Sequence, residues 1–164
     1  MKRVLLAATI AATLAGCAAP QQQVVQRPPF PEAEYATLEK EGTATVTGQV
    51  FLKTRGGDVK TGAGNVVYLN PATSYSKFIY DRRNQPVSFS PPDTRLLAYL
   101  RQTVADASGR FTFKNVPAGE YYVTGQVTWE APVGYQGSMV RQGGMIWKLI
   151  SVQEGEAVEI MVTQ

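Results

Sequence analysis

The chain has 164 residues, with 16 Lys and Arg against 13 Asp and Glu, a single cysteine and no histidine. The length suits one domain that can bury a core without disulfides. The missing histidines and the lone cysteine deny zinc and other nitrogen or sulfur metal sites their ligands and exclude Ser-His and Cys-His nucleophilic machinery; a formal charge of +3, with Arg82-Arg83 its densest pair, offers no phosphate-neutralising surface for nucleic acid.

Lys2 and Arg3 precede an uninterrupted small and apolar run, Val4 to Leu14, in the order of a secretory signal. The run is too short to span a bilayer as a helix. It ends in Leu14-Ala15-Gly16-Cys17, which resembles the lipobox of bacterial lipoproteins. That resemblance implies a signal peptide over 1–16, cleavage before Cys17 and acylation of the Cys17 sulfur. More than one acyl chain makes such an anchor stable, because each buried methylene contributes about 0.8 kcal/mol and a single chain holds only marginally. Ala18 and Ala19, rather than an Asp, follow the cysteine, and by the same resemblance the protein is expected at the outer membrane, on its periplasmic face. Cleavage also removes Lys2 and Arg3, so the mature chain is close to neutral.

Residues 17–42 carry the lipidated cysteine and then "AAPQQQVVQRPPFPEAEYATLEKEG", rich in Gln and Pro and later in Glu, with too few regularly spaced apolar residues for a packed face. This composition is that of a flexible tether. A free chain of about 25 residues has a root-mean-square span of about 25 to 30 Å, so the domain would stand off the membrane. "AEYATLEKE" has the makings of one helical turn, but an isolated helix of that length is marginal in water.

From Thr43 to the C-terminus the hydrophobic period becomes two. "TATVTGQVFL" places Val46, Val50 and Leu52 on one face and Thr45, Thr47 and Gln49 on the other, and "NVVYL" follows the Gly62-Ala63-Gly64 turn. A strand is expected within 98–105. "RFTF" turns Phe111 and Phe113 inward, and "YYVTGQVTW" alternates Tyr121, Val123, Val127 and Trp129 against Tyr122, Thr124, Gln126 and Thr128. "MIWKLISV" and "AVEIMV", joined by a turn at Glu154-Gly155, complete about seven strands, which suits an all-β sandwich over 43–164. Asp106-Ala107-Ser108-Gly109 is turn chemistry: an acid that accepts main-chain N–H bonds, then a glycine free to take positive φ. One carboxylate is too few for calcium, which takes six to eight oxygens. Pro117-Ala118-Gly119 makes a second turn.

The order Asp106-x-x-Gly109-x-Phe111-x-Phe113, then Val116-Pro117-Ala118-Gly119-x-Tyr121-x-Val123, resembles the carboxypeptidase regulatory-like domain, a prealbumin-like (transthyretin-like) β-sandwich. Gly48-x-Val50 and Gly64-x-x-Val67-x-Leu69 are similar to that family's first two strands. In metallocarboxypeptidases such a domain accompanies the catalytic one without being the enzyme. Transthyretin-like hydroxyisourate hydrolases depend on histidines, which this sequence lacks. Pilin modules of related fold join a first-strand lysine to a last-strand Asn or Asp; Lys53 is present, but "AVEIMV" offers no partner. Gly62-Ala63-Gly64 is not a dinucleotide loop, since Val67 stands where the third glycine belongs and no βαβ pattern surrounds it. No catalytic residue, metal site or cofactor is expected, and the protein is not expected to be an enzyme.

A long insert, residues 72–96, departs from the minimal pattern. Tyr75, Phe78, Ile79 and Arg82 fall at helical spacing, and Asp93 can cap a further short turn. Tyr75, Phe78 and Ile79 are expected to fold down as a lid on the core; the alternative is a recognition loop that presents Tyr80, Arg82, Arg83 and Phe89 to a partner. The glycine-rich connection Glu130 to Gly144 carries Tyr135 between Trp129 and Trp147, and aromatic platforms suit sugar faces. Two tryptophans in a sandwich are, however, usually packed. The expectation is a lipid-anchored envelope protein acting by noncovalent contact as an accessory or scaffold for other envelope proteins. The alternative is a glycan or peptidoglycan binder that uses exposed aromatics.

Overall fold

The computed structural model describes residues 23–133 and 137–164. In chain order the elements are β1 (Gln23–Val25), α1 (Glu32–Ala36), β2 (Ala44–Lys53), β3 (Val59–Thr61), β4 (Val66–Pro71), α2 (Ser74–Tyr80), β5 (Val87–Phe89), a 3-10 turn (Thr94–Ala98), β6 (Arg101–Val104), β7 (Arg110–Val116), β8 (Gly119–Val133), β9 (Ser138–Val152) and β10 (Ala157–Val162). The seven strands expected from the period-two pattern are β2, β4 and β6 to β10; β1, β3 and β5 are additional three-residue strands.

Two four-stranded sheets face each other. In one, β2 pairs in parallel with β10 from Thr45 to Val50 and antiparallel with β7 from Ala44 to Gln49, while Phe51 to Lys53 turn to β3. The other runs β6-β4-β8-β9, antiparallel throughout. The alternating residues of β2 (Val46, Val50, Leu52), β7 (Phe111, Phe113) and β8 (Val123, Val127) meet between the sheets and form the main core with Leu69, Ile146, Ile150, Ile160 and Val162. Burying side chains of this size contributes about 1.5–3 kcal/mol each. Trp129 packs against the same core, whereas Trp147 sits half-buried on the opposite face of its sheet.

The turn at Asp106 is structural. Asp106 Oδ1 accepts the main-chain N–H groups of Ser108 (2.8 Å) and Arg110 (2.9 Å), and Gly109 adopts φ 77° where a Cβ would lie 2.6 Å from the Val50 carbonyl oxygen. The motif thus turns the chain from β6 in one sheet to β7 in the other, rather than closing a hairpin, at a point where only glycine fits.

Residues 23–42 differ from the free tether that their composition suggests. From Gln23 the chain is packed on the sandwich: β1 pairs with β5, and Tyr35 of α1 is 1% exposed in a second core with Tyr75 and Leu96, flanked by Phe30, Leu38 and Tyr99. The cluster is assembled from three distant segments, so no single segment shows a periodic apolar face. The glycine-rich connection also differs from a loop. Glu130↔Arg141, Thr128↔Gly143 and their neighbours continue the β8–β9 ladder into an arm that extends past the last β4 partner, Thr124. Main-chain hydrogen bonds carry that ladder, which is why low strand propensity at Gly143 and Gly144 did not forbid it.

Candidate binding surface

The residues singled out in the insert are arranged around α2. Its N-terminus is fixed by a capping box: Thr73 Oγ1 accepts from the Ser76 main chain, and Ser76 Oγ accepts from the Thr73 main chain at 2.9 Å. Thr73 Oγ1 also donates to Tyr35 Oη at 2.9 Å, locking the helix to α1. Ala72 N–H donates to the Glu120 carbonyl at 2.8 Å, and the last residue, Tyr80, has its Oη 2.6 Å from Thr124 Oγ1. The helix therefore lies across the outer face of the β6-β4-β8-β9 sheet and runs along β8 toward its arm.

Two aromatic–cation clusters flank it. On one side Tyr80 stacks on Tyr122 at 3.8 Å, Trp147 lies at 5.3 Å from Tyr80, and the Arg83 guanidinium covers Trp147 at 3.8 Å. On the other, Arg82 covers Phe78 at 4.0 Å, Phe78 meets Phe89 edge-on at 6.3 Å, and Arg27 lies 5.7 Å from Phe89. Such pairs contribute about 0.5–1.5 kcal/mol each beyond the area they bury. Burial raises the Tyr80 phenol above its ordinary value, opposed by hydrogen bonds with the Thr124 and Asn70 side chains, so it remains a neutral hydrogen-bonding group. Asn70 Oδ1 is buried beside this stack with no hydrogen-bond partner.

Tyr80, Arg82, Arg83 and Phe89 are thus brought together around one helix, but their ring faces are occupied by one another and by arginines. Tyr75 is buried in the second core, while Phe78 and Ile79 are half-buried on the lid. Tyr122 and Thr124, which the alternation assigned to the solvent side of β8, are 5% and 4% exposed because α2 covers them. Cys17 and Tyr135 lie outside the described residues.

A groove not expected from the sequence opens at the opposite end of the same sheet. Its volume is about 520 Å³, and its walls come from α1 and the segment after it (Glu34, Lys40), the end of the 3-10 turn and the start of β6 (Tyr99, Arg101) and the start of β8 (Glu120, Tyr121). Arg101 ties the walls together: Nη1 donates to the Lys114 carbonyl at 3.2 Å and Nη2 to the Lys40 carbonyl. Lys40 Nζ lies 5.3 Å from the Tyr99 ring, and Tyr121 Oη donates to the Pro117 carbonyl at 3.0 Å. Glu120 is exposed at the rim. The packing of residues 34–41 on the sheet end, which creates the groove, is a long-range contact and leaves no local signal in the sequence. Among the described residues, no three Cys, Asp or Glu side chains converge as a metal ion requires.

Residues 1–18 match the family model of the prokaryotic membrane lipoprotein lipid attachment site, so the chain is a membrane-anchored bacterial envelope protein. Among solved structures it is similar to a "putative carbohydrate binding protein" from Pseudomonas aeruginosa, at 31% identity over 84% of this chain and 99% of that one, with a TM-score of 0.76. The chain belongs to that protein's family. The shared portion takes in nearly all of the relative, so family membership rests on the whole fold rather than on one motif. Catechol 1,2-dioxygenase from Pseudomonas arvilla C-1 is matched at 13% identity over 87% of this chain and 56% of that one; its TM-score of 0.27 carries no structural argument. No curated protein sequence matches the chain.

Proposed function

We propose that the protein is a non-catalytic binding module of the bacterial envelope, held by lipid on Cys17, whose ligand site is the groove between Glu34, Lys40, Tyr99, Arg101 and Glu120. The carrying observation is the groove itself. Its volume of about 520 Å³ falls within the range of small-ligand sites, and it presents carboxylates, cations and a tyrosine ring together. The exposed Glu120 carboxylate accepts hydrogen bonds from hydroxyls, Lys40 donates them, and the Tyr99 ring offers apolar surface to the C–H face of a pyranose. Carbohydrate is therefore the ligand class this lining suits, and the description of the Pseudomonas aeruginosa family member supports it. The site differs from the alternative drawn from sequence, a platform of exposed aromatics: among the described residues, Tyr80, Phe89 and Trp147 are already covered by neighbouring rings or arginines.

The accessory role expected from sequence belongs to this proposal as noncovalent contact with a ligand or partner. The kinship with carboxypeptidase regulatory-like domains rests on the Asp106–Gly109 and Pro117–Gly119 turn motifs and belongs to the same proposal, as does placement at the outer membrane from Ala18 and Ala19.

The test is a titration of the mature lipoprotein with peptidoglycan fragments and lipopolysaccharide core oligosaccharides, followed by amide NMR in detergent micelles. Saturable shifts at Thr37 to Glu41, Tyr99 to Arg101 and Gly119 to Glu120 are expected, and Glu120→Gln, at an exposed position, should weaken binding about three- to tenfold without changing stability. Absence of shifts at those amides with either glycan class, together with in-cell crosslinking of the groove to a reproducible protein neighbour, would replace carbohydrate by a protein partner.

A further inference from the structure

Only residues 18–22 separate the lipidated Cys17 from Gln23, where the packed chain begins. Even fully extended, that segment reaches about 20 Å, at about 3.5 Å per residue, less than the roughly 35–40 Å breadth of a domain this size. The sandwich is therefore moored close to its bilayer, and the place where β1 begins decides which end faces the lipid.

That place can be read from the pairing. β1 and β5 are parallel, with Gln23 opposite Val87, so the chain arriving from Cys17 enters beside the turn that precedes β5. This turn is Arg82 to Pro86, closed by the Gln85 N–H bond to the Arg82 carbonyl at 2.9 Å. It follows α2, which runs along β8 from the Glu120 row to the Thr124 row, and so lies toward the β8–β9 arm. Chain entry, dibasic turn and arm thus share one end of the molecule, and the groove occupies the other.

The chemistry of that end is mixed basic and apolar. Arg82 and Arg83 stack on Phe78 and Trp147 and make no ion pair among the described residues; their acidic neighbour Asp81 is paired with Lys77 at 3.1 Å. The arm exposes Met139 (59%), Val140 (43%) and Met145 (68%), and Val24 is 57% exposed. Glu130 stands opposite Arg141 across the hairpin, so the arm adds apolar surface and the turn adds charge.

We propose that this end, formed by the Arg82–Arg83 turn and the apolar arm, docks on the anionic phospholipid surface of the bilayer that holds the Cys17 acyl chains. The arginines meet headgroup phosphates, the methionines and Val140 enter the interfacial layer, and the groove is turned away from the membrane toward soluble ligands.

The experiment is hydrogen exchange on the mature lipoprotein, its acylation verified by mass. It is reconstituted in vesicles of phosphatidylethanolamine with phosphatidylglycerol, and separately in phosphatidylcholine vesicles. Segments 82–86 and 138–145 should be protected in the anionic vesicles relative to the neutral ones, with segment 98–101 at the groove unchanged. Arg82→Gln and Arg83→Gln should each reduce the protection about fivefold, the corresponding lysine variants should retain it, and high salt should abolish it for the unmodified protein. Unchanged exchange in β2 shows that the variants remain folded. Equal exchange of 82–86 in both vesicle types, insensitivity to salt, or protection at 98–101 instead would overturn the proposal.

Discussion

Gly48 shows how little room the main core leaves at single positions. A Cβ there would lie 2.5 Å from the Ile160 carbonyl oxygen and 2.7 Å from the Phe111 ring, between two strands that cannot separate without breaking their pairing with β2. Gly48→Ala is expected to cost about 1–3 kcal/mol, read as a lower urea midpoint. Gly56→Ala, whose Cβ would meet nothing closer than 3.8 Å, should stay within about 0.5 kcal/mol of the parent. Asp93 gives a pH-dependent case. Its carboxylate accepts the Arg95 Nε and Nη2 groups at 2.9 and 2.8 Å and the Arg95 main chain at 3.0 Å, and the Arg95 side chain, more than the main-chain bond, holds its pKa down to about 2. A carboxylate with a depressed folded-state pKa adds stability that is complete above its ordinary value near 4 and is lost as pH falls toward 2. Asp93→Asn should therefore lower stability at pH 6, while in acid titrations the two proteins should converge near pH 2.

The elements divide by the range of the contacts that create them. β2, β7 and the inner half of β8 were legible because alternation is local: Val46, Val50, Phe111, Phe113 and Val123 all face the core, and the Asp106 and Pro117 turns carry their own chemistry. α1 and the lid were only partly legible. Tyr35 has only Leu38 at helical spacing in its own segment, and its burial depends on Tyr75, Leu96 and Tyr99, residues it meets only after the chain has folded. The side-chain placement of the candidate site was illegible for the same reason: which residue covers Trp147, and that Glu120 lines a groove with Glu34, are long-range facts. This dependence is testable in the joint between α1 and α2. Thr73→Ala removes both the helix cap and the hydroxyl that donates to Tyr35, and should cost about 1–2 kcal/mol. Tyr35→Phe should cost about 1 kcal/mol, and the double variant should fall short of the sum by at least about 0.5 kcal/mol, because both changes break one bond.

At the scale of the whole molecule, anchor and sandwich are coupled more closely than composition suggested. A tether that is mostly consumed in packing turns a lipid from a leash into a positioning device, and it leaves the groove and the dibasic turn at opposite ends. The parallel pairing of β2 with β10 has a further consequence. On the side away from β7, the first long strand of the sandwich finds its neighbour only in Ala157–Val162. During export one side of β2 has no sheet partner until Ala157–Val162 have left the translocation channel. Closure of that sheet is therefore a late step, completed on the far side of the membrane.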